Sequence, residues 1–223
     1  MMRRMLVLML AMVVAAVGLV PQASKAQNSN MIRVMHASPD APAVDIYVDG
    51  KVVLSNVPFF TLSGALSLPN GTYKVAITPA GAGLGKAVLS TDLKVENGYA
   101  GTVVALDTLS KLKVKVYPDT LSPVPAGKAR VRVIHASPDA PAVDIKLAGT
   151  ATKVVSNAAF TDAATVEVAA GTYAFDITPA GASKVLFTTP QLRFEAGWSY
   201  TLVASGFLKG GFWVQSRVDM VGR

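Results

Sequence analysis

The sequence predicts an all-β chain of two tandem antiparallel β-sandwich domains, immunoglobulin-like or transthyretin-like, behind a cleaved leader. Three observations carry this. The stretch His36-Ala-Ser-Pro-Asp-Ala-Pro-Ala-Val-Asp-Ile46 returns letter for letter as residues 135–145, 99 positions on, so one unit occurs twice. Short apolar runs alternate with polar residues at the period of two that strands impose. Turn signals interrupt these runs roughly every 8–12 residues, and the mature chain carries no helical period.

Residues 1–26 read as a signal peptide. Met1-Met-Arg3-Arg4 is a short basic start, and residues 5–20 are uncharged and dominated by Leu, Val, Met and Ala. Pro21-Gln22 breaks the run, and Ser24-Lys25-Ala26 sets small residues where a signal peptidase cuts. The run is shorter than the ~20 residues that span a bilayer comfortably, so no membrane span is expected in the mature protein. No Cys follows it, which excludes lipid attachment there. Export to the periplasm, cell surface or medium is the expectation.

The first repeat occupies residues 27–117. In Met31-Ile-Arg-Val-Met-His36, Ile32, Val34 and His36 share one face of a strand, and Arg33 and Met35 take the other. Pro39 and Pro42 hold residues 37–42 in a loop, with Asp40 able to bond backbone N–H groups and close it. Residues 43–48 form the next strand, with Val44, Ile46 and Val48 inward and Asp45 and Tyr47 outward. Asp49-Gly50 is a two-residue hairpin signal into residues 51–54. Residues 59–68 are extended up to Pro69-Asn70-Gly71; residues 72–78 alternate again; residues 79–85 form a loop. A strand over 86–95, the Asn97-Gly98 turn and strands over 99–106 and 112–117 complete the unit.

Residues 118–128, with Pro118, Pro123 and Pro125, form a semi-stiff linker. The second repeat, residues 129–223, answers the first almost throughout: Gly171-Thr-Tyr173 matches Gly71-Thr-Tyr73, residues 177–182 match 77–82, and Glu195-Ala-Gly-Trp198 matches Glu96-Asn-Gly-Tyr99.

Composition narrows the function. Cleavage removes Arg3, Arg4 and Lys25 and no acid, so the formal charge falls from +7 to +4. These charges are scattered along strands, which argues against nucleic acid as a partner. Without cysteine, disulfides and Cys-based zinc sites are excluded. His36 and His135 are the only histidines, which excludes a multi-His metal centre within one unit.

The H-A-S-P-D-A-P-A-V-D-I motif, preceded by R-V and followed by Y-V-D-G, resembles a bacterial secreted family catalogued as domain of unknown function 4397, in two copies. The resemblance implies a β-sandwich module of exported or envelope-attached proteins, with no established activity. The second unit departs from it at Lys146-Leu-Ala-Gly149, where the first has Tyr47-Val-Asp-Gly50.

Four chemistries are weighed on the residues. His36, Asp40 and Asp45, with His135, Asp139 and Asp144, offer one imidazole and two carboxylates per unit to a metal or ligand. The structural reading is favoured: a ring nitrogen of His36 bonds Asp40 or a loop carbonyl, and Asp45 pairs across strands with Arg33, as Asp144 does with Arg132. Ser38 and Ser137 sit two residues from a His and two from an Asp, too close for triad geometry. Gly81-Ala-Gly-Leu-Gly85-Lys86 lacks the spacing and the Ser or Thr of a phosphate loop. Tyr99, Trp198 and Trp213, with Tyr200 and Phe212, could offer an aromatic platform to a sugar. Asn70-Gly71-Thr72 fits a glycosylation sequon, though Asn-Gly at a hairpin is reason enough for it.

The expectation is therefore a non-enzymatic, exported or envelope binding and adhesion module, without metal or cofactor, for a cell-wall or extracellular glycan or protein. A self-associating structural component of the envelope is the alternative, and a metal-dependent hydrolase a distant one.

Overall fold

The computed structural model describes residues 30–96 and 98–219, and of residues 216–219 only the backbone. The expected leader, residues 27–29 and Asn97 of the expected turn lie outside the described residues.

Nine strands precede the connector: β1 (Asn30–Ala37), β2 (Val44–Val48), β3 (Lys51–Val57), β4 (Thr61–Leu62), β5 (Leu66–Leu68), β6 (Gly71–Pro79), β7 (Leu89–Val95), β8 (Ala100–Leu106) and β9 (Lys113–Pro118). Ten follow it: β10 (Lys128–His135), β11 (Val143–Leu147), β12 (Lys153–Ala158), β13 (Ala163–Ala169), β14 (Gly171–Tyr173), β15 (Phe175–Pro179), β16 (Phe187–Thr188), β17 (Leu192–Phe194), β18 (Ser199–Phe207) and β19 (Gly211–Asp219). Among the described residues the helical structure is two 3₁₀ turns, Leu84–Lys86 and Leu109–Lys111. The protein is all-β, as its alternation predicts.

Sequence signals account for the local geometry. Asp49 (φ 47°) and Gly50 (φ 77°) both take the left-handed conformation that a tight two-residue hairpin between β2 and β3 needs. The segment expected as one strand over 59–68 splits into β4 and β5, both laid against β1. The strand expected over 86–95 begins only at Leu89, because a 3₁₀ turn ends on Lys86 and is capped by Ala87.

In the first half, the strand orders are β4-β1-β8-β9, with β5 also on β1, and β3-β2-β6-β7. In the second they are β13-β10-β18-β19 and β12-β11-β15-β16, with a small β14-β17 ribbon. Two pairs break the expected antiparallel rule: β1 runs parallel to β8, and β10 parallel to β18. A parallel pair needs a long crossover, and the strands of the opposing sheet supply it.

Three apolar clusters then stack the large sheets into four layers. Ile32, Val34, Val103 and Ala105 meet Val44, Ile46, Val75 and Ile77 within the first half. Val131, Val133 and Leu202 meet Val143, Ile145, Phe175 and Ile177 within the second. Met35, Ala37, Val104, Leu106 and Tyr117 meet Ile134, Ala136 and Val203 between the halves. The sheets holding β1 and β10 are therefore buried on both faces, and those holding β2 and β11 lie outermost. Met35, placed by the alternation on a face opposite the core, is buried in this middle cluster. The connector is also held: the Arg130 guanidinium donates to the carbonyls of Thr120 (3.3 Å), Ser122 (2.6 Å) and Pro123 (3.2 Å).

Candidate functional site

β1 delivers His36 into the interior, where it is 2 % exposed. Its Nε2 lies 3.0 Å from the Pro42 carbonyl, and the Ser38 N–H points at its Nδ1 from 3.3 Å. Those partners fix one tautomer: Nε2–H donates and Nδ1 accepts. A second proton would set N–H against N–H, and burial already holds the imidazole below its ordinary value. His135 repeats the arrangement with Pro141 (3.1 Å) and Ser137 (3.3 Å), and burial lowers it likewise. Of the two structural options weighed for the imidazole, the loop carbonyl is the one realised.

Asp40 faces another element. Its Oδ1 accepts the Leu109 N–H at 2.7 Å, and Asp139 Oδ1 accepts that of Leu208 at 2.8 Å. Each carboxylate ties the motif loop to the end of a hairpin, β8–β9 or β18–β19. Ser38 and Ser137 are fully buried, and Ser137 Oγ is spent on the Gly206 carbonyl (2.8 Å). Neither hydroxyl is open to a substrate.

Asp45 corrects the sequence reading. The expected pairing with Arg33 does not occur, nor does that of Asp144 with Arg132. Asp45 is buried and accepts the N–H groups of Asn56 and Gly81, both at 2.8 Å. Asp144 accepts those of Asn157 (2.9 Å) and Gly181 (3.0 Å), and Lys153 reaches it at 2.7 Å. Asn56, Gly81, Asn157 and Gly181 all have positive φ. The carboxylate therefore holds two left-handed residues that come from different loops. The Asn56 and Gly81 N–H groups lower the Asp45 pKa; for Asp144 the Lys153 ammonium leads and the two N–H groups follow. Tyr47, expected outward, is buried as well.

Both arginines turn instead to Asp119 in the connector. Arg33 contacts Asp119 Oδ2, and Arg132 Nη1 lies 2.9 Å from its Oδ1. Arg132 also donates to the carbonyls of Tyr117 (3.2 Å) and Pro118 (3.0 Å) and to the hydroxyls of Thr201 (3.0 Å) and Thr102 (3.3 Å). One guanidinium thus binds both halves. Sequence reasoning missed Asp119, because nothing local marks it.

The aromatic candidates do not assemble into a platform. Tyr99 packs on the first core, where a Cβ on Gly101 would meet its Oη at 2.6 Å. Trp198, Tyr200 and Phe212 pack on the second core. Trp213 alone of the set is exposed, at 58 %. Asn70 of the sequon has its Oδ1 bonded by the Asn30 amide at 3.0 Å.

The profile of the domain of unknown function DUF4397 matches residues 30–146, more than half of the chain and inclusive of both copies of the motif. The chain belongs to this family. No curated protein matches it. Among solved structures it is similar to the TIE protein of Bacillus anthracis (13 % identity, TM-score 0.26, covering 80 % of this chain and 34 % of that one). It is also similar to a family CBM26 module, CBMbc, of Eubacterium rectale Amy13K, solved with maltoheptaose (12 %, TM-score 0.26, 86 % and 98 %). A third is a candidate cell adhesion protein from Bacteroides fragilis (9 %, TM-score 0.22, 87 % and 99 %). The chain spans about a third of the Bacillus protein's length.

Within this DUF4397 chain, then, the repeated motif welds loops. His36 closes the bend, Asp40 ties it to one hairpin, and Asp45 ties two further loops to β2. Among the described residues no group of three or more His, Asp or Glu side chains is placed to hold a metal ion.

Proposed function

We propose that the chain is an exported, non-enzymatic recognition protein of the cell envelope, built from two DUF4397 modules, whose partner is an extracellular glycan or protein. One observation carries the reading: the motif's imidazoles and carboxylates all bond the chain's own backbone, leaving chemistry with outside molecules to the outward-facing sheets. Those sheets form the two ends of one four-layer stack. Export rests on the basic start and apolar run of residues 1–26.

The test is fractionation of cells carrying the full chain, followed by pelleting of the purified mature protein with envelope material. The expected result is a mature chain starting at Gln27, outside the inner membrane, that binds the material saturably. A chain retained in the cytoplasm, or one with no saturable binding, overturns the proposal. A second reading, self-association, draws on β3: this edge strand exposes Val52 (50 %) and Val53 (37 %), and open apolar edges invite pairing. Light scattering that rises with concentration supports it; a persistent monomer removes it.

A further inference from the structure

The outer sheet of the first half carries a cleft that the motif does not touch. It measures about 490 Å³ and lies between the Asp49-Gly50 turn, the 3₁₀ turn with Leu84 and Ala87, and the neighbouring strands β6 and β7. Lys74 and Val75 come from β6; Ser90, Thr91 and Asp92 come from β7. The volume is that of ordinary small-molecule sites, ~300–1,000 Å³. Lys74 and Asp92 stand directly opposite each other in the β6–β7 register.

Most of the polar lining is uncommitted. Asp49 Oδ1 accepts the Lys74 N–H at 2.8 Å. Among the described residues no hydrogen bond or ion pair takes the Lys74 ammonium, the Asp92 carboxylate or the Ser90 and Thr91 hydroxyls. Two carboxylates and one ammonium give the cleft a negative balance, unfavourable to anions. Two carboxylates without a third ligand are also a poor cation site. A donor, two acceptors and the Ser90 hydroxyl, which can do either, fit a ligand whose own groups both give and accept hydrogen bonds. Leu84, 44 % exposed, supplies an apolar side.

The second half replaces the polar side chains that line this cleft. Ala148 stands for Asp49, Ala174 for Lys74, and Pro190-Gln191 falls where Asp92 would. Its loop after Ala182 is shorter and lacks the counterpart of Leu84. The glycine-rich stretch 81–85, useless as a phosphate loop, is what lengthens the first loop over the cleft.

We infer that this cleft binds a neutral saccharide, with Lys74, Asp49 and Asp92 on its hydroxyls and Leu84 against a ring face. The inference rests on the recognition reading above and narrows it to one site in the first half. The test titrates the mature full-length chain with maltoheptaose and chitotetraose by calorimetry, alongside Lys74→Ala, Asp92→Ala and Trp213→Ala, and repeats the envelope pelleting for each. All three side chains are exposed, and melting curves check that each variant folds. The expected result is binding of one of these sugars, weakened at least tenfold by Lys74→Ala or Asp92→Ala and unchanged by Trp213→Ala. Sugar binding lost with Trp213→Ala but kept by the cleft variants overturns the cleft and leaves recognition standing. Envelope binding with neither sugar bound does the same. Loss of both, in the wild type, overturns the recognition reading itself.

Discussion

Replacement of Asp119 by Ala tests whether the two halves fold as one body. The carboxylate, 4 % exposed, sits between Arg33 of β1 and Arg132 of β10. Removing one partner of a buried pair costs about 3–5 kcal/mol, because the surviving charge stays out of water. Arg132 keeps four other acceptors on Tyr117, Pro118, Thr201 and Thr102, so the lower end, about 3 kcal/mol, applies. At 2–4 °C per kcal/mol for a chain of this size, the melting midpoint falls by roughly 6–12 °C. Both tryptophans, Trp198 and Trp213, lie in the second half, so fluorescence follows that half and circular dichroism follows both. In urea the wild type shows coincident transitions by the two probes; in Asp119→Ala they separate. In an Arg33→Met background the same change costs at least 1 kcal/mol less, since the two side chains share a contact. A cost below 1 kcal/mol, or strict additivity with Arg33→Met, refutes the clamp.

Two further outcomes follow from the motif and its hairpins. Burial holds both imidazoles below 6.5, so their contribution to stability is complete above that pH and is lost as the pH falls through 6.5 towards the folded values; His36→Gln with His135→Gln flattens the melting midpoint between pH 7 and 5, and an unchanged slope refutes it. The carboxylates Asp45 and Asp144, held below 3.8, act only at more acidic pH and leave that window clear. Gly206→Ala brings a Cβ to 2.0 Å from the Gly211 carbonyl oxygen at a residue with φ +96°, so it shifts the β18–β19 hairpin and costs at least about 2 kcal/mol by urea titration; a melting midpoint within 2 °C of wild type counts against the geometry.

The strands were legible because each half-buried segment obeys a period of two: Ile32 and Val34 do face one core, and His36 is buried. What failed was the reading of the other face. Met35 and Arg33 were assigned away from the core, but the second half covers that side. The signal was present in Val103-Val-Ala-Leu106, an unbroken apolar run, which marks a strand buried on both faces. The partners of Asp45 were not legible. They lie 11 and 36 residues away, and they matter because their backbones are left-handed, a property visible only once the loops are folded. Asn30 is illegible for the same reason: a polar residue near the start of the first repeat, it bonds Leu68, Asn70 and Tyr99 and anchors the start of β1.

The two halves meet through matching sheets, β4-β1-β8-β9 and β13-β10-β18-β19, as the subunits of a two-fold dimer do. Such a face would also pair with its own copy on another molecule, and the differences between the halves bear on this. Tyr117 Oη and Lys115 Nζ both donate to the Thr161 carbonyl, at 3.0 and 2.6 Å, and Lys113 lies over the Phe160 ring. By strand register the second half places Arg217, Gln215 and Trp213 at those three positions, and Phe60 stands where Thr161 does. Ser205 Oγ donates to the Ala37 carbonyl at 3.0 Å, where the first half has Leu106. Two first halves would therefore leave the Ala37 carbonyl facing a leucine, and two second halves would lose the tyrosine and both lysines. The faces have diverged into complements, so the contact is worth most within one chain, and the stack is specified as one body with two unlike ends. The outer surfaces differ in the same way: the cleft's Asp49 and Lys74 are answered by Ala148 and Ala174 in the second half.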